Sequence, residues 1–91
     1  MSVHVRVPTI LRTYTDGESE VTAEGGTLAE VLESLDSSYS GIRARIIDET
    51  GELRRFVNVY VGNDDVRFLD GLGTPTPDGT QISVIPAVAG G

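Results

Sequence analysis

The sequence predicts a single α+β domain in which one main helix packs across a mixed β-sheet. Residues 3–7 and 57–61 alternate valines with other residues, and this period of two is typical of strands with one buried face. Residues 27–37 have the apolar spacing of an amphipathic helix. The 91 residues suffice for one modest core and leave little room for a deep active site.

The N-terminal part of the chain predicts a β-hairpin. The strand at residues 3–7 ends at Pro8, because proline lacks the backbone N–H that a sheet ladder uses. Asp16-Gly17 favours a tight turn, and a weaker strand with Val21 facing inward follows at residues 20–23.

The central part predicts the main helix. Thr27 and Glu30 have the spacing of a capping box at its start. The residues of its apolar face are Leu28, Val31, Leu32 and Leu35. We expect the helix to fade near residues 37–41, a short second helical piece at 42–47 and a turn at 48–52.

The C-terminal part predicts three further strands. A strand at residues 57–61 is followed by a turn at 62–65, a short return strand at 66–68 and an irregular segment. The last strand covers residues 81–86, with Ile82 and Val84 facing one side and a partly exposed Ile85 facing the other.

The predicted order of elements is β-β-α-β-β-β. The simplest closed arrangement lays the helix across one sheet face and pairs the first strand with the last, which is the β-grasp architecture. We expect residues 1–86 to form this domain and residues 87–91 to form a flexible C-terminal tail.

The side chains offer no credible catalyst. The chain has no cysteine, and His4, its one histidine, is expected on the outward face of the first strand, where no second ligand can join it in a metal site. Asp64 and Asp65 suit a turn better than a catalytic pair. The glycine-rich stretches lack the Lys-Ser/Thr of a phosphate-binding loop. We therefore expect a non-enzyme that binds no metal or cofactor of its own.

The net charge of the chain indicates which classes of partner it can bind. The net charge of -7 disfavours nucleic acid and anionic membranes, and it favours partners with basic surfaces. The N-terminal residues alternate in polarity, unlike a signal peptide, and no apolar run approaches the roughly 20 residues of a membrane span. These features predict a cytoplasmic protein.

The tail is the most informative segment. Residues 87–91 carry no charged or bulky polar side chain, and Gly90 and Gly91 can adopt any backbone conformation that a partner imposes. Five extended residues reach about 17 Å. This length could thread the terminal carboxylate into a buried site of another protein, with Ala87, Val88, Ala89 and Gly90 recognised on the way.

Four stretches together span nearly the whole chain: VPTILR (7–12), TLAEVLESLDSSYSGI (27–42), RRFVNVYVGNDDVRF (54–68) and PAVAGG (86–91). In these stretches the sequence resembles the ubiquitin-like sulfur carriers of the ThiS and MoaD families, and more closely the mycobacterial-type carriers for cysteine synthesis.

The resemblance implies a cycle of reactions at Gly91. An E1-like, zinc-containing enzyme with MgATP would adenylate the carboxylate, and a persulfide or sulfide would replace AMP to leave a thiocarboxylate. The acceptor would be an aminoacrylate derived from O-phosphoserine on a PLP-dependent cysteine synthase. A JAMM-type zinc peptidase would then release the product.

Several interpretations stay open at this point. The sulfur acceptor could be molybdopterin, thiazole or tRNA, the chain could be a modifier attached through Gly91 to lysines, or its tail could be inert. A partner-binding patch is expected at Phe68 and Leu69, whereas Phe56 and Leu11 are expected in the core.

Overall fold

The computed structural model describes residues 2–55 and 57–86. Its strands are β1 (Ser2–Arg6), β2 (Glu20–Glu24), β3 (Val57–Val61), β4 (Asp64–Asp65) and β5 (Gln81–Pro86). Its helices are α1 (Leu28–Ser38) and α2 (Ile42–Ile46), with short 3₁₀ helices at Thr9–Leu11, Val66–Phe68 and Gly71–Gly73.

The strands form one mixed sheet in the order β2-β1-β5-β3-β4. β1 and β5 are parallel neighbours at its centre, and the other neighbouring pairs are antiparallel. One main helix lies across this sheet, and the predicted β-grasp architecture with paired first and last strands is confirmed.

The core lies between α1 and one face of the sheet. The predicted apolar face of α1 is buried, with each of its four residues at most 1% exposed. It packs with inward residues of the central strands, such as Val5, Val59 and Ile82, which are fully buried. Leu11 is buried as expected, whereas Phe56 lies outside the described residues.

The start of α1 is fixed by reciprocal hydrogen bonds. The Glu30 N–H donates to Thr27 Oγ1 at 3.4 Å, and Glu30 Oε1 accepts from the Gly26 N–H at 2.8 Å. This confirms the predicted capping box, although the returning bond reaches one residue before the N-cap. Thr76 Oγ1 donates to the Gly25 carbonyl at 2.9 Å and ties the irregular C-terminal segment to this corner.

The prediction for the segment between β3 and β5 was partly wrong. The return strand is Asp64–Asp65, and residues 66–68 form a 3₁₀ helix instead. The tight turn is therefore shorter than predicted and centres on Gly62, whose φ is +65°. Asp65 begins the helical turn because its Oδ1 accepts from the Arg67 N–H at 2.9 Å.

The connection between β1 and β2 is longer than a tight hairpin. A 3₁₀ helix at Thr9–Leu11 follows Pro8, and the chain then turns at Asp16 and Gly17, whose φ values are +56° and +87°. The antiparallel pairing and the turn at these two residues are as predicted. The second helical piece and the turn at residues 48–52 are also confirmed.

Candidate functional site

The candidate site is the C-terminal end of β5, a strand inside the sheet. β5 lies between β1 and β3, and Pro86, its last residue, is in register with Val57 of β3. Ile82 and Val84 anchor this strand in the core at 0% and 4% exposure. The predicted recognition residues 87–90 and the predicted reactive residue Gly91 follow directly and lie outside the described residues.

An open groove of about 410 Å³ lies beside this strand end. One wall is formed by residues 6–10 with Arg12, and the other by residues 83–86. Ile10 and Ile85 bring exposed apolar surface to it, at 67% and 46% exposure, beside the guanidinium groups of Arg6 and Arg12. Such a surface can take an apolar segment flanked by acidic groups.

Five arginines lie on β1, β3 or the segments next to these two strands, which flank β5. We call this group the arginine collar, and its members are Arg6, Arg12, Arg54, Arg55 and Arg67. Arg6 is in register with Ser83 of β5. Arg12 Nε donates to the Val7 carbonyl at 3.1 Å, which holds its side chain at the groove.

The other collar residues flank β5 on the β3 side. Arg54 and Arg55 come just before Val57, the partner of Pro86. Arg67 Nη1 donates to Asn58 Oδ1 at 2.7 Å, and its Nη2 donates to the Arg54 carbonyl at 2.8 Å. Arg54 Nε donates to the Ala44 carbonyl at 3.0 Å, which directs this side chain toward α2.

No arginine of the collar forms an ion pair within 4 Å in the part of the chain that the structure describes. Over residues 2–55 and 57–86, the one ion pair within 4 Å joins His4 Nδ1 to Glu20 Oε2 at 3.6 Å, and it involves no arginine. Near the collar, a hydrogen bond from Thr50 lowers the pKa of Asp48, and the charge of Arg54 adds to this effect. Asp48 thus stays charged and orders the loop that leads to Arg54.

The predicted partner patch is exposed. Phe68 is 86% exposed and Leu69 is 46% exposed, at the end of the 3₁₀ helix that packs against β3. An aromatic ring this exposed contributes little to the core, so it is available for contact with another protein. The role of the patch in binding stays a prediction.

The structure shows where the side chains that sequence reasoning set aside are located. His4 lies on the outward face of β1, and its near neighbour is a single carboxylate. Asp65 serves as a helix cap. Among the described residues, no group of three or more histidine, cysteine or acidic side chains is placed to hold a metal ion.

Sequence reasoning missed the arginine collar and the groove. The groove joins residues as far apart in the sequence as Arg6 and Pro86, which come close only through the pairing of β1, β5 and β3. A usable signal was present in the composition, because all 7 lysine or arginine positions are arginine. Within the described part of the chain, no helix has the length and apolarity needed to cross a membrane.

Comparisons with known proteins agree on one family. The model of the ThiS family matches residues 5–91. The sulfur carrier protein CysO of Mycobacterium tuberculosis is 50% identical over 93 aligned residues, which cover 100% of both chains. Small archaeal modifier protein 3 of Haloferax volcanii is 41% identical over 68 residues, which cover 75% of this chain and 73% of the relative.

Solved structures give the same result. The CysO chain of the BexX/CysO complex from Amycolatopsis orientalis superposes with a TM-score of 0.92 and 48% identity, over 98% of this chain and 99% of that one. Mycobacterium tuberculosis CysO superposes with a TM-score of 0.91 and 48% identity, over 94% and 99%. Small archaeal modifier protein 1 of Haloferax volcanii, at 22% identity and a TM-score of 0.82 with both chains fully covered, supports the fold alone.

Proposed function

The chain belongs to the ThiS family, and on this basis we propose that it is a sulfur carrier for cysteine biosynthesis, with the carboxyl group of Gly91 as the carrying site. The observation that carries this proposal is the 50% identity to CysO over the full length of both chains. The family match also extends through residue 91, so the Gly-Gly segment belongs to the matched region.

The proposed chemistry takes place at the terminal carbonyl carbon. A carboxylate oxygen of Gly91 attacks the α-phosphorus of MgATP in an E1-like, zinc-containing enzyme, and pyrophosphate leaves. Sulfide then attacks the carbonyl carbon of the adenylate and expels AMP, which leaves a thiocarboxylate. With a persulfide donor, the acyl disulfide formed first is reduced by a thiol to the same product.

Sulfur leaves the carrier in the next proposed steps. The thiocarboxylate sulfur adds to the aminoacrylate that a PLP-dependent cysteine synthase forms from O-phosphoserine. The thioester first formed between Gly91 and the cysteine sulfur rearranges by an S-to-N acyl shift to an amide, and a JAMM-type zinc peptidase hydrolyses this amide to release cysteine and regenerate the carboxylate. ATP, zinc and PLP belong to these partner enzymes in this proposal.

The composition of the chain supports a carrier rather than an enzyme. It has no cysteine, so no side-chain thiol can hold transferable sulfur. Its described residues present an open groove and an exposed apolar patch. The tail starts from a central strand that is anchored in the core, so the domain can act as a rigid handle for Gly91.

We propose that partner enzymes hold the domain through Phe68 and Leu69 and recognise residues 87–90 as an extended segment. The exposure of the Phe68 ring supports the first contact. A related CysO crystallises in complex with BexX, which supports the idea that a carrier of this shape engages another protein.

Trapping the sulfur at Gly91 tests the function. The protein is co-expressed with the E1-like enzyme of its own genome and a sulfur source, treated with a thiol-alkylating reagent, and mapped by mass spectrometry. We expect the label on the peptide that ends in Gly91, and none in a variant that lacks Gly91. An unlabelled Gly91 under conditions where the enzyme charges a known carrier would contradict the proposal.

The acceptor needs a separate experiment. Purified thiocarboxylate is mixed with O-phosphoserine and the cysteine synthase, and we expect a cysteine residue joined to Gly91. Conversion only by enzymes that make molybdopterin, thiazole or thiolated tRNA would keep the sulfur-carrier role and change the pathway.

A modifier role is the second candidate. It is favoured by the 41% identity to a relative that is named small archaeal modifier protein 3. In this case Gly91 would form amide bonds with lysines of other proteins. Peptide mapping of cell extracts for a Gly-Gly remnant on lysine, compared between wild type and a strain that lacks Gly91, separates this role from sulfur transfer.

A further inference from the structure

A second groove adjoins the exposed patch of Phe68 and Leu69. Its volume is about 400 Å³, and it is lined by residues 51–53, 67 and 70–73. Phe68 and Leu69 stand between two of these lining segments in the chain. The second groove and the patch therefore lie next to each other on the surface, and a protein that covers the patch also reaches the groove.

Hydrogen bonds hold both walls of the second groove. In the turn at residues 48–52, Asp48 Oδ1 accepts from the Glu52 N–H at 3.1 Å, and the Asp48 N–H donates to the Glu52 carbonyl at 2.8 Å. In the other wall, Thr74 Oγ1 donates to the Gly71 carbonyl at 2.7 Å, and Thr74 is buried. The walls are thus formed before a partner binds, which reduces the conformational entropy lost on association.

The lining combines half-buried leucines with exposed carboxylates. Leu53 and Leu72 line the second groove and pack against the core. Glu52 and Asp70 line the same groove and are exposed. Apolar contact area and negative charge are therefore present side by side.

The arginine of the lining forms no ion pair with these carboxylates. Arg67 Nη1 donates to Asn58 Oδ1 at 2.7 Å, and its Nη2 donates to the Arg54 carbonyl at 2.8 Å, which holds the guanidinium group toward β3. Among the described residues, the one ion pair within 4 Å joins β1 to β2, so neither Glu52 nor Asp70 is paired with an arginine there. A cation from another protein can therefore approach both carboxylates.

We propose that the second groove takes a lysine or arginine side chain of the E1-like partner that contacts Phe68 and Leu69. This inference rests on the proposed function, in which that patch holds the partner enzyme. The methylene stem of the basic side chain packs on the two leucines of the lining, and its charged end lies near Glu52 and Asp70. The patch supplies apolar contact, and the groove selects the charge beside it.

The charges of the lining argue against other occupants. The two carboxylates would repel an acidic side chain, and an uncharged side chain would leave them without a counter-charge. A bare metal ion needs more ligands, and the described part of the chain places no group of three or more histidine, cysteine or acidic side chains to hold one. A cation on an apolar stem uses both parts of the lining.

A small basic probe tests the groove without a partner enzyme. N-acetyl-arginine N-methylamide is titrated into the isotope-labelled full chain at low ionic strength, and amide signals are followed by NMR. N-acetyl-citrulline N-methylamide, in which a urea group replaces the guanidinium group, is the uncharged control. We expect the arginine probe to shift the signals of residues 51–53 and 70–73 in a saturable manner, with an affinity about threefold or more above that of the citrulline probe.

A double variant removes the charge of the groove. Glu52→Gln with Asp70→Asn keeps the size of both side chains, and the Asp70 side chain caps no helix, so the Tm should change by no more than a few degrees. Glu33→Gln with Asp64→Asn makes the same charge change at exposed positions on α1 and β4 and is the matched control. The groove variant should lose the arginine-specific shifts, and the control variant should keep them.

The same variants test the groove in the partner complex. The KM for the carrier is measured during charging by the E1-like enzyme of the same genome at saturating MgATP. We expect the groove variant to raise this KM about tenfold at unchanged kcat, since two exposed ion pairs of about threefold each are lost. Added salt should reduce the difference because it screens the charges, and the control variant should stay near wild type.

Two results would overturn the inference. One is an NMR titration in which the arginine probe gives no saturable shift at the groove, acts no better than the citrulline probe, or binds the groove variant equally well. The other is an unchanged KM for the groove variant while Phe68→Ala raises the KM, which would keep the patch as the contact and leave the groove without a role. Failure of the proposed function appears separately, because then no form of the chain is charged, whereas the NMR titration needs no enzyme.

Discussion

The two faces of the central strands differ in burial although their residues alternate along the same backbone. Val3 and Val5 of β1 are fully buried against the helices, whereas Arg6 and Ile85 on the opposite face are exposed. Burial of each aliphatic side chain contributes about 1.5–3 kcal/mol. The fold is thus stabilised mainly from the helix side, and the outward face is left free for contacts outside the domain.

The largest loss of stability is expected in the core between α1 and the sheet. Leu32 of α1 is fully buried, so Leu32→Ala removes core contacts and leaves a cavity. We expect a loss of about 3 kcal/mol in unfolding free energy and a fall in Tm of about 15 °C. Ile85→Ala is the control on the outward face and should cost below about 1 kcal/mol in a urea titration. Equal losses of unfolding free energy in the two variants would show that the two sheet faces contribute equally to stability.

The second-largest loss of stability is expected in the connection between β2 and α1. Gly25 has a φ of +152°, and a Cβ there would lie 2.6 Å from the Val31 nitrogen. Gly25→Ala must strain the backbone and push the helix start away, at a cost of about 2–3 kcal/mol. Gly51→Ala, at a φ of +85° with no atom within 4 Å, should cost about 1 kcal/mol by thermal unfolding. A milder loss at Gly25 than at Gly51 would contradict the close contact.

The cap of α1 gives a smaller effect on the same side. Thr27→Ala removes the hydroxyl that accepts from the Glu30 N–H, and we expect a loss of about 1 kcal/mol. Thr27→Ser keeps that oxygen and should stay within about 0.5 kcal/mol of wild type in the same urea titration. If both variants lose the same stability, the methyl group and not the cap is responsible.

A fourth effect depends on pH. The hydrogen bond from Thr50 lowers the pKa of Asp48 in the folded protein below its ordinary value of 3.8. The folded state therefore gains stability above the unfolded pKa, and this gain is lost as the pH falls through the folded pKa. We expect a small contribution because the group is exposed. Asp48→Asn should flatten the stability curve below about pH 4, and an unchanged curve would contradict the role of this carboxylate.

The smallest effect on stability is expected on the outward side. Phe68→Ala removes a ring that is 86% exposed, so the Tm should change by no more than a few degrees. Charging by the E1-like enzyme should weaken, with a higher KM for the carrier and the same yield at saturation. Thr22→Ala, an exposed outward residue of β2, is the control and should leave the KM unchanged. A large fall in Tm for Phe68→Ala would place this ring in the core.

The fold could be predicted because its strong signals are local. The alternating valines of β1 and β3 and the apolar stripe of α1 each specify one element and its buried face. The error at residues 64–68 has a local cause too. Val66 to Phe68 have side chains common in strands, but the Asp65 cap and the burial of Val66 favour a helical turn.

The site could be predicted only in part. Phe68 and Leu69 were identified as surplus apolar residues, and their exposure is confirmed. The collar could not be assembled from sequence, since Arg6 and Arg55 become neighbours of one strand through long-range pairing. Periodicity along the sequence predicts whether a residue faces the core or the solvent. It does not predict which residues far apart in the sequence lie close together in the fold.

Both edges of the sheet carry acidic residues. Glu20 and Glu24 lie on edge strand β2, and the opposite edge strand β4 consists of Asp64 and Asp65 alone. An unpaired strand edge is a template for addition of a strand from another molecule, and like charges on both edges oppose that addition. Association in solution should therefore depend on salt: at low ionic strength the charged edges repel one another, whereas added salt screens these charges and favours edge-to-edge aggregation.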